Sequence, residues 1–290
     1  MSKFVFVILH YLTTRDTMEA VSSIKQYAPD AQIVIVDNAS GNGSLEQLQD
    51  AYADDARVDV ITAKENLGFA RGNNLGIAYA RERYAPDFIC LMNNDILLLE
   101  NPLPPIEQEY AASHFAVLGP MVYTADGRCN DNPGTATPMT EQDLHSLIRY
   151  LERMIRVNHW HLWLPYRAAQ KIWHRLHTPA AASPVTHRNY LQRQENVQLH
   201  GSFLVLSPKF FAHFNGLFDG TFLNLEEDIL FWQLRQAGQK TVYLPSLHVF
   251  HKEDAASKQV WPNERKRALA KMENILFSAR AFQRLRQEQG

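Results

Sequence analysis

Only two cysteines, Cys90 and Cys129, occur in 290 residues. They exclude a disulfide framework and fit a reducing compartment, with Cys90 reading as a buried strand residue. Long apolar runs are also missing: nothing approaches the roughly 18 to 20 uncharged apolar residues that a membrane-spanning helix needs. The opening MSKFVFVILHYL has no basic segment followed by a small-residue cleavage site, so no signal peptide is expected. Such a chain would work in the cytoplasm, or lie on the inner face of the plasma membrane, rather than cross it. Neither sign of charge is in excess. The 29 Lys and Arg against 31 Asp and Glu leave a net charge of −2, which argues against nucleic acid as a partner. A glycine-rich phosphate loop is absent from the turn after the first apolar run, which reads His10-Tyr11-Leu12-Thr13-Thr14. Its absence speaks against a nicotinamide-dependent dehydrogenase and against a sugar-nucleotide pyrophosphorylase.

What is present is an alternation of short apolar runs with amphipathic stretches over the first 120 or so residues, the rhythm of βαβ units. Strands are expected at 4–9, 33–36, 58–61 and 88–92, and helices at 16–27, 44–52 and 69–84. This predicts an α/β fold with a mainly parallel sheet covered on both faces. Ligands of such sheets bind at the carboxyl ends of the strands, where Asp37 and Asp95 fall. Residues 1–125 form this α/β part. Residues 126–197 read as a helical insertion with tryptophans at Trp160, Trp163 and Trp173 and a strongly basic stretch between Arg149 and Arg193. That stretch is either an ordinary helical subdomain or a surface that meets an anionic membrane. Residues 198–262 return to α/β, with a strand at 202–206, a helix at 226–237 and a strand at 241–244. Residues 263–290 close the chain as a charged helix.

Four segments carry candidate chemistry. Asp37 and Asn38 end a strand and precede Ala39-Ser40-Gly41, a place from which polar side chains can reach a base or ribose, or simply form an Asx turn. NLGFARGNNLG at 66–76 puts Gly68 and Gly72 where backbone can approach closely. It also puts Asn73 and Asn74 in the first turns of a helix, where asparagine is a poor helix former; a ligand role is favoured over an N-cap. LMNNDI at 91–96 delivers Asn93, Asn94 and Asp95 to a strand tip, where a carboxylate can hold a divalent cation bridging a diphosphate. Glu226, Glu227 and Asp228 open a helix. The helix dipole accounts for one or two acids there. Three adjacent carboxylates repel one another, and a carboxyl pKa raised in that way suits a general base. His251, at a strand end, could reach the same metal as Asp95.

In this order VDNAS at 36–40, NLGFARGNNLG at 66–76, MNND at 92–95 and the acids at 226–228 resemble the inverting family-2 glycosyltransferases, most of all the rhamnosyltransferase-like members of bacterial capsule and lipopolysaccharide synthesis. The likeness covers about residues 4–124 and 198–252. It implies a GT-A fold and transfer of a sugar from a UDP- or dTDP-sugar donor to a glycan or a lipid-diphosphate-linked acceptor, with Mg2+ or Mn2+ as cofactor. Under it, Asp37 contacts the base, while His10, Tyr11, Asn38, Asn66, Gly68, Phe69, Asn73, Asn74, Asn93, Asn94 and Gly201 line the donor. Asp95, with His251, holds the metal, and Asp228 is favoured over Glu227 as base. The sequence departs from the family in carrying Asn93 at the first position of the DXD-type motif and three acids where Glu-Asp is usual. A non-catalytic nucleotide-sugar-binding relative on the same scaffold is the alternative.

Overall fold

The computed structural model describes residues 2–127, 132–159, 190–252 and 264–289; Cys129, Trp160, Trp163 and Trp173 lie outside them. The first part follows the expected alternation: β1 (Phe4–His10), α1 (Thr14–Tyr27), β2 (Gln32–Asp37), α2 (Ser44–Tyr52), β3 (Val58–Thr62), α3 (Gly68–Tyr84) and β4 (Phe88–Asn93). There follow β5 (Ile96–Leu98), α4 (Leu103–Ser113), β6 (Val117–Thr124), α5 (Glu141–His159), β7 (Gln194–Glu195) and β8 (Phe203–Leu206). A short α6 (Pro208–Phe211), then α7 (Glu226–Gln236), β9 (Thr241–His251) and α8 (Glu264–Gln289) complete the chain.

All strands among the described residues join one sheet in the order β3-β2-β1-β4-β8-β6-β9-β5, with β7 also on β9. β1 to β4 pair in parallel, and β6 and β9 run the same way, whereas β5, β7 and β8 run opposite. The sheet is therefore mostly parallel in direction, and β8 inserts antiparallel between β4 and β6. Successive strand side chains point to opposite faces, and here both faces are covered. Phe6, Ile8, Ile33 and Ile35 pack with Ile24 of α1, Leu48 of α2 and Ile106 of α4. Val5, Val7, Val34 and Val36 pack with Ala70 and Ile77 of α3 and Leu230 and Leu234 of α7. Each such Val, Leu, Ile or Phe side chain contributes about 1.5–3 kcal/mol relative to exposure.

A third cluster stands apart from the sheet. Leu144 and Ile148 of α5 meet Ile229 and Trp232 of α7 and Phe282 and Leu285 of α8. The helix that carries the acids is thus clamped between the sheet and a pair of helices. β9 runs seven residues past the expected end at Leu244. Its register with β6 breaks between Pro120 and Met121, so that Leu244 and His248 pair with consecutive residues. Pro245, which cannot donate a ladder hydrogen bond, sits in this irregularity rather than at a strand end. Among the described residues no helix is long and apolar enough to cross a membrane.

Candidate functional site

Parallel register brings the strand ends together. His10 lies opposite Asp37, Asp37 opposite Thr62, and Leu9 opposite Asn93. At this edge Asp37 is buried, and its carboxylate accepts from the Thr62 hydroxyl at 3.2 Å and the Ser40 N–H at 3.3 Å. A cleft of about 310 Å3 opens beside it, lined by Asp37, Ala39, Gly41, Leu45, Glu46 and Thr62 among others. Tyr11 is half-buried in the following turn, and Leu12 is tied to Ser40 and Asn42.

Several residues expected on the donor make hydrogen bonds within the protein. His10 is fully buried, its Nδ1 at 2.7 Å from the Thr17 hydroxyl and its Nε2 at 2.9 Å from that of Ser44. Burial holds its pKa below the ordinary histidine value, against the opposing charge of Asp37, so a neutral ring brackets α1 to α2. Asn38 donates to Asn66 and to the Gly68 carbonyl and accepts from the Leu67 N–H. Asn94 donates to the hydroxyls of Thr13 and Thr17. Asn73 is buried on α3 and donates to the Phe69 carbonyl. Asn74 accepts from the Leu217 N–H at 2.7 Å and donates to the Leu217 carbonyl at 2.8 Å. Its carboxamide thus pairs as a peptide group would, which explains an asparagine in an early helical turn without a ligand. Phe69 donates its N–H to the Phe222 carbonyl, and Gly68 sits at φ +76° against that same carbonyl. The close approach that Gly68 permits is therefore by the chain's own loop. Asn74→Ala is expected to lower stability by about 1–3 kcal/mol, because it strands both polar groups of Leu217. Urea denaturation checks this, and an unchanged midpoint would remove the bracket from the account.

The candidate chemistry gathers at the other half of the edge. The antiparallel pairing of β5 with β9 sets Ile96 opposite His251, so the turn before β5 brings Asp95 to the histidine. His251 Nε2 lies 3.3 Å from Asp95 Oδ2, and both side chains are 14% exposed, enough to remain reachable. The His251 ring meets the His200 ring edge-on, centroids 5.9 Å apart. His200 Nδ1 is 2.8 Å from the Ser202 hydroxyl, and the Ser202 carbonyl accepts the Asn93 N–H at 2.9 Å. Gly201, between them, donates its N–H to the Glu227 carboxylate. A Cβ at position 201 would stand 3.0 Å from that carboxylate, so only glycine lets Glu227 approach without a shift. A continuous set of contacts therefore runs from Asp95 through the His200-Gly201-Ser202 segment to the acids of α7. His200 was not singled out from the sequence. Its one local sign is its place directly before Gly201, and its neighbour His251 is 51 positions away.

The three acids differ in setting. Glu227 is engaged by the Gly201 backbone. Asp228 is half-buried, and burial first and the charge of Glu227 second raise its pKa above the ordinary aspartate value, while Gln198 hydrogen-bonds it. Glu226 is raised as well, again chiefly by burial. Desolvation thus outweighs the mutual repulsion of neighbouring acids. Two consecutive residues with positive φ, Asn224 at 74° and Leu225 at 67°, lead into this helix. Such backbone is costly for residues other than glycine, about 1–3 kcal/mol each.

Asp95 and His251 offer one carboxylate and one imidazole. Among the described residues no three His, Cys, Asp or Glu side chains converge on one point. That donor set fits a divalent cation whose other positions are filled by phosphate oxygens and water.

Comparison with known proteins agrees with this architecture. Over 128 residues, 44% of the chain, it is 24% identical to the low-salt glycan biosynthesis hexosyltransferase Agl10 of Haloferax volcanii, and spans 39% of that protein's length. GalNAc-T7, solved with UDP, GalNAc and Mn2+, superimposes with a TM-score of 0.58 at 14% identity, over 88% of this chain and 44% of that one. Residues 1–349 of S. aureus TarS superimpose with a TM-score of 0.52 at 13% identity, over 93% of this chain and 65% of theirs. The fold is the GT-A fold of these glycosyltransferases. The description of Glycosyl transferase family 2 matches residues 13–172, more than half of the 290, and the chain belongs to that family.

Proposed function

We propose that the protein transfers a sugar from a nucleotide-diphosphate donor to a hydroxyl of a glycan or lipid-linked acceptor, with inversion at the anomeric carbon, in the synthesis of a bacterial surface polysaccharide. The observation that carries this reading is the run of contacts from Asp95 and His251 through His200-Gly201-Ser202 to Glu227. It sets the carboxyl-terminal sheet edge and the start of the acid helix side by side. The nucleoside is assigned to the cleft beside Asp37, and the diphosphate to the Asp95–His251 end. A Mg2+ or Mn2+ ion held by Asp95 and His251 would neutralise charge on the departing diphosphate.

Asp228 is assigned the proton. The acceptor oxygen attacks the anomeric carbon as its proton passes to the Asp228 carboxylate. The bond from that carbon to the diphosphate oxygen breaks on the opposite face, and the electron pair leaves with the nucleotide. Glu227 positions rather than reacts in this scheme, because its carboxylate holds the Gly201 N–H and so fixes α7 against the mouth of β8.

The test is thermal stability with UDP, dTDP and their sugar conjugates, with and without Mn2+. UDP comes first, since GalNAc-T7, which shares the fold, was solved with UDP and Mn2+. A ligand that binds only the folded chain raises its stability by about 2.7 kcal/mol at a hundred times its Kd. The expected result is a Mn2+-dependent rise with one nucleotide that disappears in Asp95→Ala. No rise with any of them at millimolar concentration would turn the assignment toward a scaffold that has lost its donor.

A further inference from the structure

We propose that the outer face of the α5–α8 helix pair docks on an anionic lipid bilayer. The inner face of α5 buries Leu144, Ile148, Leu151 and Met154, the first two of them in the third core cluster. Its outer face carries Arg149, Arg153 and Arg156, spaced four and three residues apart so that they share one side of the helix. On α8, Phe277, Arg280 and Arg284 form a second stripe at spacings of three and four.

The two stripes are one surface. Arg280 bonds Glu152 at 2.7 Å, and about two turns along, His159 meets Glu273 at 3.9 Å, both pairs at the exposed seam between the helices. Among the described residues, Arg149 and Arg156 hydrogen-bond only inside their own helix, to the Ser146 hydroxyl and the Glu152 carbonyl. Among the described residues none of Arg149, Arg153, Arg156 and Arg284 pairs with a carboxylate. The whole chain carries −2, yet α8 alone holds seven Lys and Arg against three Glu.

Charge alone would suit any polyanion. What selects a bilayer is the pair of aromatic side chains standing among these arginines: Tyr150 is 52% and Phe277 is 53% exposed. Guanidinium groups bind phosphate headgroups through paired N–H donors, and aromatic rings between them enter the headgroup boundary. The Ser278 hydroxyl donates to the Leu223 carbonyl and ties α8 to the segment that carries another exposed apolar residue, Leu223 at 43%. Behind this surface, Phe282 and Arg286 pack on Trp232 of α7, so a docked helix pair would hold the acid helix at a set place relative to the bilayer. The inference rests on this surface and not on the assignment of glycosyl transfer.

The experiment is co-sedimentation of the full chain with vesicles of phosphatidylcholine alone and of phosphatidylcholine with phosphatidylserine. The protein is expected to bind the anionic vesicles and to be released by salt, because the attraction acts within a Debye length. Each arginine near the surface is worth about a five-fold change in partition. The variant with Arg149→Gln, Arg153→Gln and Arg156→Gln should therefore bind roughly a hundred-fold more weakly. Phe277→Ser should weaken binding without changing its salt dependence. All four side chains are exposed, and a melting curve confirms the fold. Equal binding to both vesicle types, binding unaffected by the triple substitution, or retention on heparin without vesicle binding would each overturn the proposal.

Discussion

Replacing Asp228 with Asn is expected to lower kcat by about 10³-fold, leave the nucleotide-induced thermal shift in place, and raise the melting temperature at neutral pH. The combination matters more than any one part. A general base contributes to the transition state and little to donor binding, so the first two results follow from the role itself. The third follows from where the carboxyl sits. Burial, and behind it the charge of Glu227, raises the Asp228 pKa above its unfolded value, which is about 3.9 for aspartate. The folded chain therefore holds this proton more tightly than the unfolded chain does. The stability linked to that proton is fully present below the unfolded pKa and is lost as pH rises through the raised folded value. At neutral pH the ionised carboxylate burdens the fold, and an amide of the same shape relieves the burden.

The same shift sets the pH profile. Activity needs Asp228 ionised, so kcat should fall as pH drops through the raised value, and that limb should vanish in the variant. Glu226 provides the comparison. Its pKa is also raised by burial, so Glu226→Gln should likewise stabilise the fold at neutral pH. It should keep activity if Asp228 is the base. Full activity in Asp228→Asn would send the search for the base elsewhere, whatever happens to stability.

Gly68→Ala is expected to destabilise the protein by roughly 2–5 kcal/mol, combining a left-handed backbone with a steric overlap. At φ +76° an alanine is already strained, and its Cβ would run into the Phe222 carbonyl that accepts the Phe69 N–H. Neither partner can yield cheaply. Asn38 and Asn66 pin the loop on one side, and residue 222 lies only four positions before the acid helix. Gly41 is the control: its φ is +64°, but a Cβ there meets nothing within 4 Å. Gly41→Ala should therefore show the backbone penalty alone, about 1 kcal/mol. Equal losses at the two positions in urea denaturation would mean that the 68–222 contact carries no weight.

The βαβ rhythm of the first 93 residues was legible because period-2 and period-3.6 patterns are local. The expected strands and helices fall within a residue or two of those observed. The rest of the sheet was not. β5 is three residues long, and the reversal of β8 between β4 and β6 depends on pairing partners more than 80 positions apart. No local spacing encodes such a choice.

The asparagines mark the same boundary within the site. The sequence put Asn38 and Asn94 at strand ends and Asn73 and Asn74 in the first turns of a helix, and the family resemblance added Asn66 to the donor site. It could not say what they face, since a carboxamide offers the same donor and acceptor to a ligand as to a peptide bond. In the tertiary structure both hydrogen bonds of the Asn74 carboxamide go to Leu217, 143 positions away. Asp95 and His251 are the opposite case. The sequence placed each at a strand end, and only the antiparallel register of β5 on β9 brought them to 3.3 Å. Local pattern thus determined which elements form and which residues stand at their tips. Long-range packing decided which tips meet, because that depends on burying both faces of one sheet at once.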